Sequence, residues 1–182
     1  MRPRAKLPFI CLLILIVSSC GRDNVTWEKY TSNEGGFAIT MPKPVKKSDK
    51  TEVTAFGKQV RHYLEWKPST FAIDKFKLFL VSYTDCPARI SADSILLGTM
   101  LDSAIYLRKK DFTEDEDIPS QIIELNGYPG RAFFFDGGGN TQVQVKMSII
   151  NNKLYDLTVI SKKNYSTNNE ISNFYNSFEP FK

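Results

Sequence analysis

The sequence predicts an α+β domain in which an antiparallel sheet of about seven or eight strands carries helices packed on its faces. Three observations predict it. Short segments alternate apolar and polar residues at the period of strands. Asn-Gly, Gly-rich and Asn-Asn steps separate the last four of these segments, which makes hairpins of consecutive strands. Only two stretches change to the period of a helix.

Residues 37–41 (FAITM) alternate apolar with small or polar side chains and stop at Pro42. Residues 51–55 and 58–66 read as two strands around a turn at Phe56-Gly57. In the second, Val60, His62, Leu64 and Trp66 share one face, and Gln59, Arg61, Tyr63 and Glu65 share the other. Residues 77–83 (KLFLVSY) are apolar on both faces, as in a central strand covered on each side. From Ser91, a candidate N-cap, to about Lys109 the spacing is helical. Leu97, Met100, Leu101, Ala104 and either Leu107 or Arg108 fall on one side.

An acidic connector follows at 111–117 (DFTEDED). Strands are then expected at 121–125, 131–135, 142–150 and 154–161. The turns between them, Asn126-Gly127, residues 136–140 (DGGGN) and Asn151-Asn152, tolerate positive φ, so these strands are antiparallel neighbours. A last helix opens at Thr167-Asn168-Asn169-Glu170, which fits a capping box, and places Ile171, Phe174, Tyr175 and Phe178 on one face.

The amino terminus is of another kind. Arg2, Arg4 and Lys6 precede an uninterrupted apolar run at 9–17, and small residues then lead to Cys20. This is the pattern of an export signal. The run rises only about 14 Å as a helix, short of the roughly 30 Å of a bilayer core. Val17-Ser18-Ser19-Cys20 resembles the lipobox of bacterial lipoproteins. The resemblance implies cleavage before Cys20 and acylation of that residue, with palmitate among the chains. Gly21 follows the cysteine, where the Asp that retains many lipoproteins in the inner membrane is absent, and this favours the outer membrane. The expected organisation is a signal peptide at 1–19, the lipidated Cys20 with a short polar tether at 20–26, and one domain at 27–182.

Cleavage alters the charge argument. The full chain has 24 Lys and Arg against 20 Asp and Glu, but Arg2, Arg4 and Lys6 leave with the signal, so the mature balance is 21 to 20, or +1. The remaining basic pairs are scattered, which argues against a nucleic-acid partner. Cys11 also leaves, and with Cys20 acylated Cys86 stays unpaired, expected to be buried at the sheet edge.

The order of elements resembles PsbP-like domains. The residues that carry the likeness are Phe37-x-Ile39-x-Met41-Pro42, Gly127-Tyr128-Pro129-Gly130-Arg131 before a hairpin, the Tyr155-Asp156-Leu157 strand and the final helix ending at Ser177-Phe178. It spans roughly Trp27 to Phe181. It implies an α/β/α sandwich around the antiparallel sheet. In photosynthetic organisms relatives of this fold assist assembly or ion retention of a membrane complex. No matching residue is a functional residue of those relatives, so the resemblance assigns no site, and fold alone does not imply function.

Nothing in the chain names a reaction. His62 is the only histidine, and no nearby residue reads as its partner, so it is taken as structural. His62 and Cys86 are too few for a zinc site. Asp111, Glu114, Asp115, Glu116 and Asp117 lack the register of a calcium loop. Gly137-Gly138-Gly139 lies between strands, which makes a hairpin tip and not a phosphate cradle. Phe133, Phe134 and Phe135 must face both sides of the sheet. Packing explains them, while a helix–sheet cleft beside them would accept an apolar molecule.

The resulting expectation has one site residue, Cys20 for lipidation, with no catalytic, cofactor-binding or metal residue and no cofactor. The expected function is a lipid-anchored, non-catalytic accessory protein of the bacterial cell envelope. It would be attached to the membrane by its lipid and bind another envelope component, a protein above all. The 136–140 tip, the acidic connector and the Asn151-Asn152 turn are the candidate surfaces. The alternative is a carrier or sensor of an apolar small molecule.

Overall fold

The computed structural model describes residues 25–54, 57–68, 75–87, 90, 93–113 and 118–181. Cys20 and the rest of residues 1–24, Ser91 and residues 114–117 lie outside the described residues.

Strand formation follows the alternation of the sequence. The elements are β1 (Trp27–Ser32), β2 (Phe37–Pro42), β3 (Lys46–Thr54), β4 (Gly57–Trp66), β5 (Phe76–Asp85), helix α1 (Ser94–Lys110), β6 (Gln121–Leu125), β7 (Tyr128–Gly138), β8 (Thr141–Ile150), β9 (Lys153–Lys162), helix α2 (Asn169–Asn176) and the two-residue β10 (Glu179–Pro180). Seven strands form one antiparallel sheet in the order β3-β4-β5-β9-β8-β7-β6. The expected 37–41 strand belongs instead to a second sheet, ordered β1-β2-β10. β1 has only a weak apolar alternation, with Glu28 and Lys29 exposed, and its pairing with β2 is what holds it.

The turns behave as their residues demand. Asn126-Gly127 and Asn151-Asn152 all have positive φ, between 50° and 83°, the geometry that keeps two-residue hairpins in the twist of their strands. The β7–β8 tip does the same with Gly138, Gly139 and Asn140.

Both faces of the seven-stranded sheet are covered. On one, Phe37, Ile39 and Met41 of β2 and Phe174 of α2 are fully buried against Phe79, Val81 and Leu157. Phe79 is the hub, with ring centroids 5.0 to 5.9 Å from Phe76, Trp27, Phe174 and Trp66. On the other face Leu101 and Ile105 of α1 pack on Phe133, Val143, Val145 and Met147.

Boundaries differ from expectation at several elements, and β7 runs from Tyr128 to Gly138 instead of over 131–135. β3 begins at Lys46, because pairing with β4 continues along a polar outer edge (KKSDK) that carries no apolar signal. The N-cap of α1 is Asp93, whose Oδ1 accepts from the N–H groups of Ile95 and Leu96 at 2.9 and 3.0 Å. α2 is capped by Asn168 rather than Thr167, its Oδ1 accepting from Glu170 N–H at 2.8 Å. The predicted apolar face of α2 is buried in full, with Ile171, Phe174, Tyr175 and Phe178 at 3% exposure or less.

Phe79→Ala removes the hub ring and should destabilise the domain by about 3–5 kcal/mol. Phe134→Ser, at a half-exposed position on β7, should change stability by less than about 0.5 kcal/mol. Equilibrium urea unfolding of both variants measures the contrast.

Candidate functional site

His62 has partners that the sequence hid. It stands opposite Asp49 across the β3–β4 ladder, and its Nδ1 lies 2.9 Å from Asp49 Oδ1. Its ring stacks on Tyr83 with centroids 4.7 Å apart, and its Nε2 lies 3.8 Å from Glu34 Oε1 in the β1–β2 turn. The outer ring nitrogen therefore faces a carboxylate, whereas a hydrolytic triad needs a hydroxyl or thiol there. The bond that ties the β1–β2 turn to the main sheet is another one, from Tyr155 Oη to the Gly35 carbonyl at 2.6 Å.

A concavity beside α1 is a consequence of width. A helix is about 10 Å across and strands lie about 4.8 Å apart, so one helix covers about two strands. Leu101 and Ile105 seat α1 on the β7–β8 part of the sheet. Its C-terminal half borders a cleft of about 320 Å³ over β4, β5 and the near end of β9. Met100, Ala104 and Leu107 form the helix wall, while Cys86, Met147 and Leu154 form the apolar floor. Arg61, Glu52 and Gln59 line the β3–β4 side.

The charged groups are held by one another. Tyr63 Oη donates to Glu52 Oε1 at 2.7 Å, and Arg61 Nε lies 3.4 Å from Glu52 Oε2. Burial and that hydrogen bond push the Tyr63 phenol up to about 12. Burial works to raise the Glu52 carboxyl, but the Tyr63 donor and the Arg61 charge outweigh it and hold it below the usual range. Of the two alternatives for the α1 face, Arg108 is the one turned inward and Leu107 is exposed.

Arg108 enters the sheet face itself. Its Nε is 2.6 Å from Asp156 Oδ2, Nη2 donates to Thr158 Oγ1 at 3.1 Å, and Nη1 donates to Asp111 Oδ2 at 2.9 Å. The Nε–H is not aligned with the Asp156 oxygen, so charge and not a directed hydrogen bond joins that pair. Asp156 is 1% exposed, and Thr158 Oγ1 donates to its other oxygen at 2.7 Å.

Parts of the expected surfaces also make contacts within the fold, although residues 136–140 stay exposed. At the β7–β8 tip Asp136 pairs with Lys163, and the Asn140 carbonyl accepts from Lys163 N–H. Asn152 O accepts from Cys86 N–H at 2.6 Å, so the Asn151-Asn152 turn is fastened to the end of β5. Asp111 belongs to the Arg108 cluster. Phe133 and Phe135 stack with centroids 6.1 Å apart, and Phe112 packs on Phe135, which fills the place where a cleft was expected. The cleft is over β4 and β5 instead, because that is the part α1 leaves uncovered. Cys86 lies at the end of an inner strand, half-buried in the cleft floor, and not at the sheet edge.

No family model matches this chain, and no curated protein matches its sequence. Among solved structures, cyanobacterial PsbP (CyanoP) from Synechocystis sp. PCC 6803 is similar in solution structure over 91% of this chain and 99% of its own, with a TM-score of 0.54 and 11% identity. The fold is PsbP-like. At that identity the likeness extends to the path of the chain, and the PsbP-like scaffold does not determine what lines the cleft.

Two results should follow from this chemistry. Asp156→Ala strands Arg108 in a buried place and should cost about 3–5 kcal/mol in urea unfolding, whereas the pair Arg108→Met/Asp156→Leu should recover most of that loss. Burial raises the Cys86 thiol to about 11. Its alkylation by iodoacetamide at neutral pH should therefore be about 100-fold slower than that of an unfolded cysteine, and should accelerate as pH rises toward that value.

Proposed function

We propose that the protein is a lipid-anchored, non-catalytic binding protein of the bacterial cell envelope. Cys20 carries the acyl chains, the outer membrane is the expected site, and the domain holds an apolar small molecule as carrier or sensor. The cleft between α1 and β4–β5 is the observation that carries this reading. Its volume of about 320 Å³ lies at the lower end of small-molecule sites, about 300–1,000 Å³. Met100, Ala104, Leu107, Met147 and Leu154 suit an apolar body, and the Arg61 guanidinium stands at one polar end. The lipobox-like ending at Cys20 supports the anchor.

A second reading is an accessory role in which the partner is another envelope protein. β6 favours it, since Ile122 of this short edge strand is 81% exposed and, among the described residues, no strand pairs with its outer edge.

Native mass spectrometry of the protein extracted gently from its own membrane tests both. The expected spectrum shows acyl mass on a chain beginning at Cys20 and a further non-covalent small mass. Ala104→Trp, which fills the cleft, should remove that small mass and leave the acyl mass. An unmodified or differently cut terminus contradicts the anchor. A bound protein in place of the small molecule, unaffected by Ala104→Trp, selects the accessory reading.

A further inference from the structure

We propose that the cleft over β4 and β5 takes a carboxylate amphiphile, a short aliphatic chain ending in one carboxylate that Arg61 holds. The inference rests on the carrier reading given above and names the chemical class of its ligand.

The polar groups of the cleft decide the class, because those around Arg61 already have partners. Thr84 Oγ1 donates to the Val60 carbonyl at 2.9 Å, and Ser103 Oγ donates to the Thr99 carbonyl at 2.9 Å. The three guanidinium nitrogens of Arg108 face Asp156, Thr158 and Asp111. Gln59 and Lys110 have partners of their own. Glu52 is engaged at both oxygens. Its Oε1 accepts from Tyr63 and lies 3.4 Å from Lys50 Nζ, and its Oε2 faces Arg61 Nε.

Arg61 differs from these. Its side chain is 17% exposed, and its ion pair with Glu52 is made through Nε at 3.4 Å. Glu52 divides its charge between Arg61 and Lys50, so the guanidinium is not neutralised one for one. Among the described residues the two terminal nitrogens of Arg61 donate no hydrogen bond within the fold. Strand register sets this group beside the apolar floor. His62 pairs with Tyr83, so Arg61 of β4 lies next to Thr84 of β5, two residues before Cys86. Its charge is felt there, since burial raises the Cys86 thiol and the Arg61 charge acts against that rise.

A mostly buried guanidinium with unfilled donors is incomplete without an acceptor. Its planar fork matches the paired oxygens of a carboxylate or a phosphate. With Nε turned to Glu52, such a group can approach across both Nη atoms and leave the Glu52 pair in place. A cation already shared with Glu52 balances one negative charge at most. A phosphate monoester carries about −1.5 to −2 at neutral pH, so the carboxylate is the better match. Met100, Ala104 and Leu107 on the helix side and Met147 and Leu154 on the floor then cover the chain.

The test is isothermal titration calorimetry of the protein purified from its own membrane and held in phosphatidylcholine nanodiscs, with empty nanodiscs as the blank. The probes are octanoate, octanol, octylammonium and octyl phosphate, which share one chain and differ in the head. Octanoate should bind about 10- to 100-fold more tightly than octanol, as for one charged hydrogen-bonded contact. Arg61→Gln should bring octanoate down to the level of octanol and leave octanol unchanged, which also shows the cleft to be intact. The double variant Arg61→Gln/Glu52→Gln, which strands no charge, should do the same. Equal affinity for octanoate and octanol overturns the inference and leaves the carrier reading standing. Tighter binding of octylammonium or octyl phosphate than of octanoate overturns it in favour of that head group. Binding of none of the four overturns the carrier reading and this inference together.

Discussion

A sheet of seven strands has two faces to cover, and the rest of this structure follows from how unequally they are covered. β9 shows the constraint most clearly, since six consecutive residues from Leu154 to Val159 are buried. One face receives a complete layer, built from the small sheet and α2 and locked by the aromatic cluster around Phe79. The other face receives a single helix, which is too narrow for it. The cleft is the unfilled remainder of that face.

The charged groups around the cleft answer the same constraint. Where α1 does not reach, the floor at Cys86, Met147 and Leu154 stays apolar, and the polar groups stand at the β3–β4 margin, where Glu52, Arg61 and Tyr63 satisfy one another. Arg108 spans the boundary between covered and uncovered sheet, with Asp156 and Thr158 beneath it and Asp111 above. A buried ion pair gives little net stability over an apolar one, yet it strongly disfavours any arrangement that separates the partners. Here it fixes the rotation of α1 over the sheet, and with it the shape of the cleft wall formed by Met100, Ala104 and Leu107.

Much of the architecture is legible in the sequence because burial on one side of a strand or helix leaves a period. The α2 face, the two-sided apolar run of β5 and the positive-φ turns at Asn126, Asn140 and Asn151 are all visible in this way. What escaped has no period. β1 and the first half of β3 are exposed strands held by backbone pairing, and their side chains record their surroundings only weakly. The Asp49–His62 pair joins residues thirteen apart across a ladder, and its register depends on where β3 begins.

The sequence by itself determined the local elements, their antiparallel succession and the basic, apolar and small-residue pattern that leads to Cys20, because each of these is written in neighbouring residues. Tertiary structure alone decided that β2 leaves the main sheet and that the cleft lies over β4 and β5 instead of beside Phe133 and Phe135. Those outcomes depend on which strands pair and how wide a covering helix is. Such distances join residues far apart in the chain, and no local pattern encodes them.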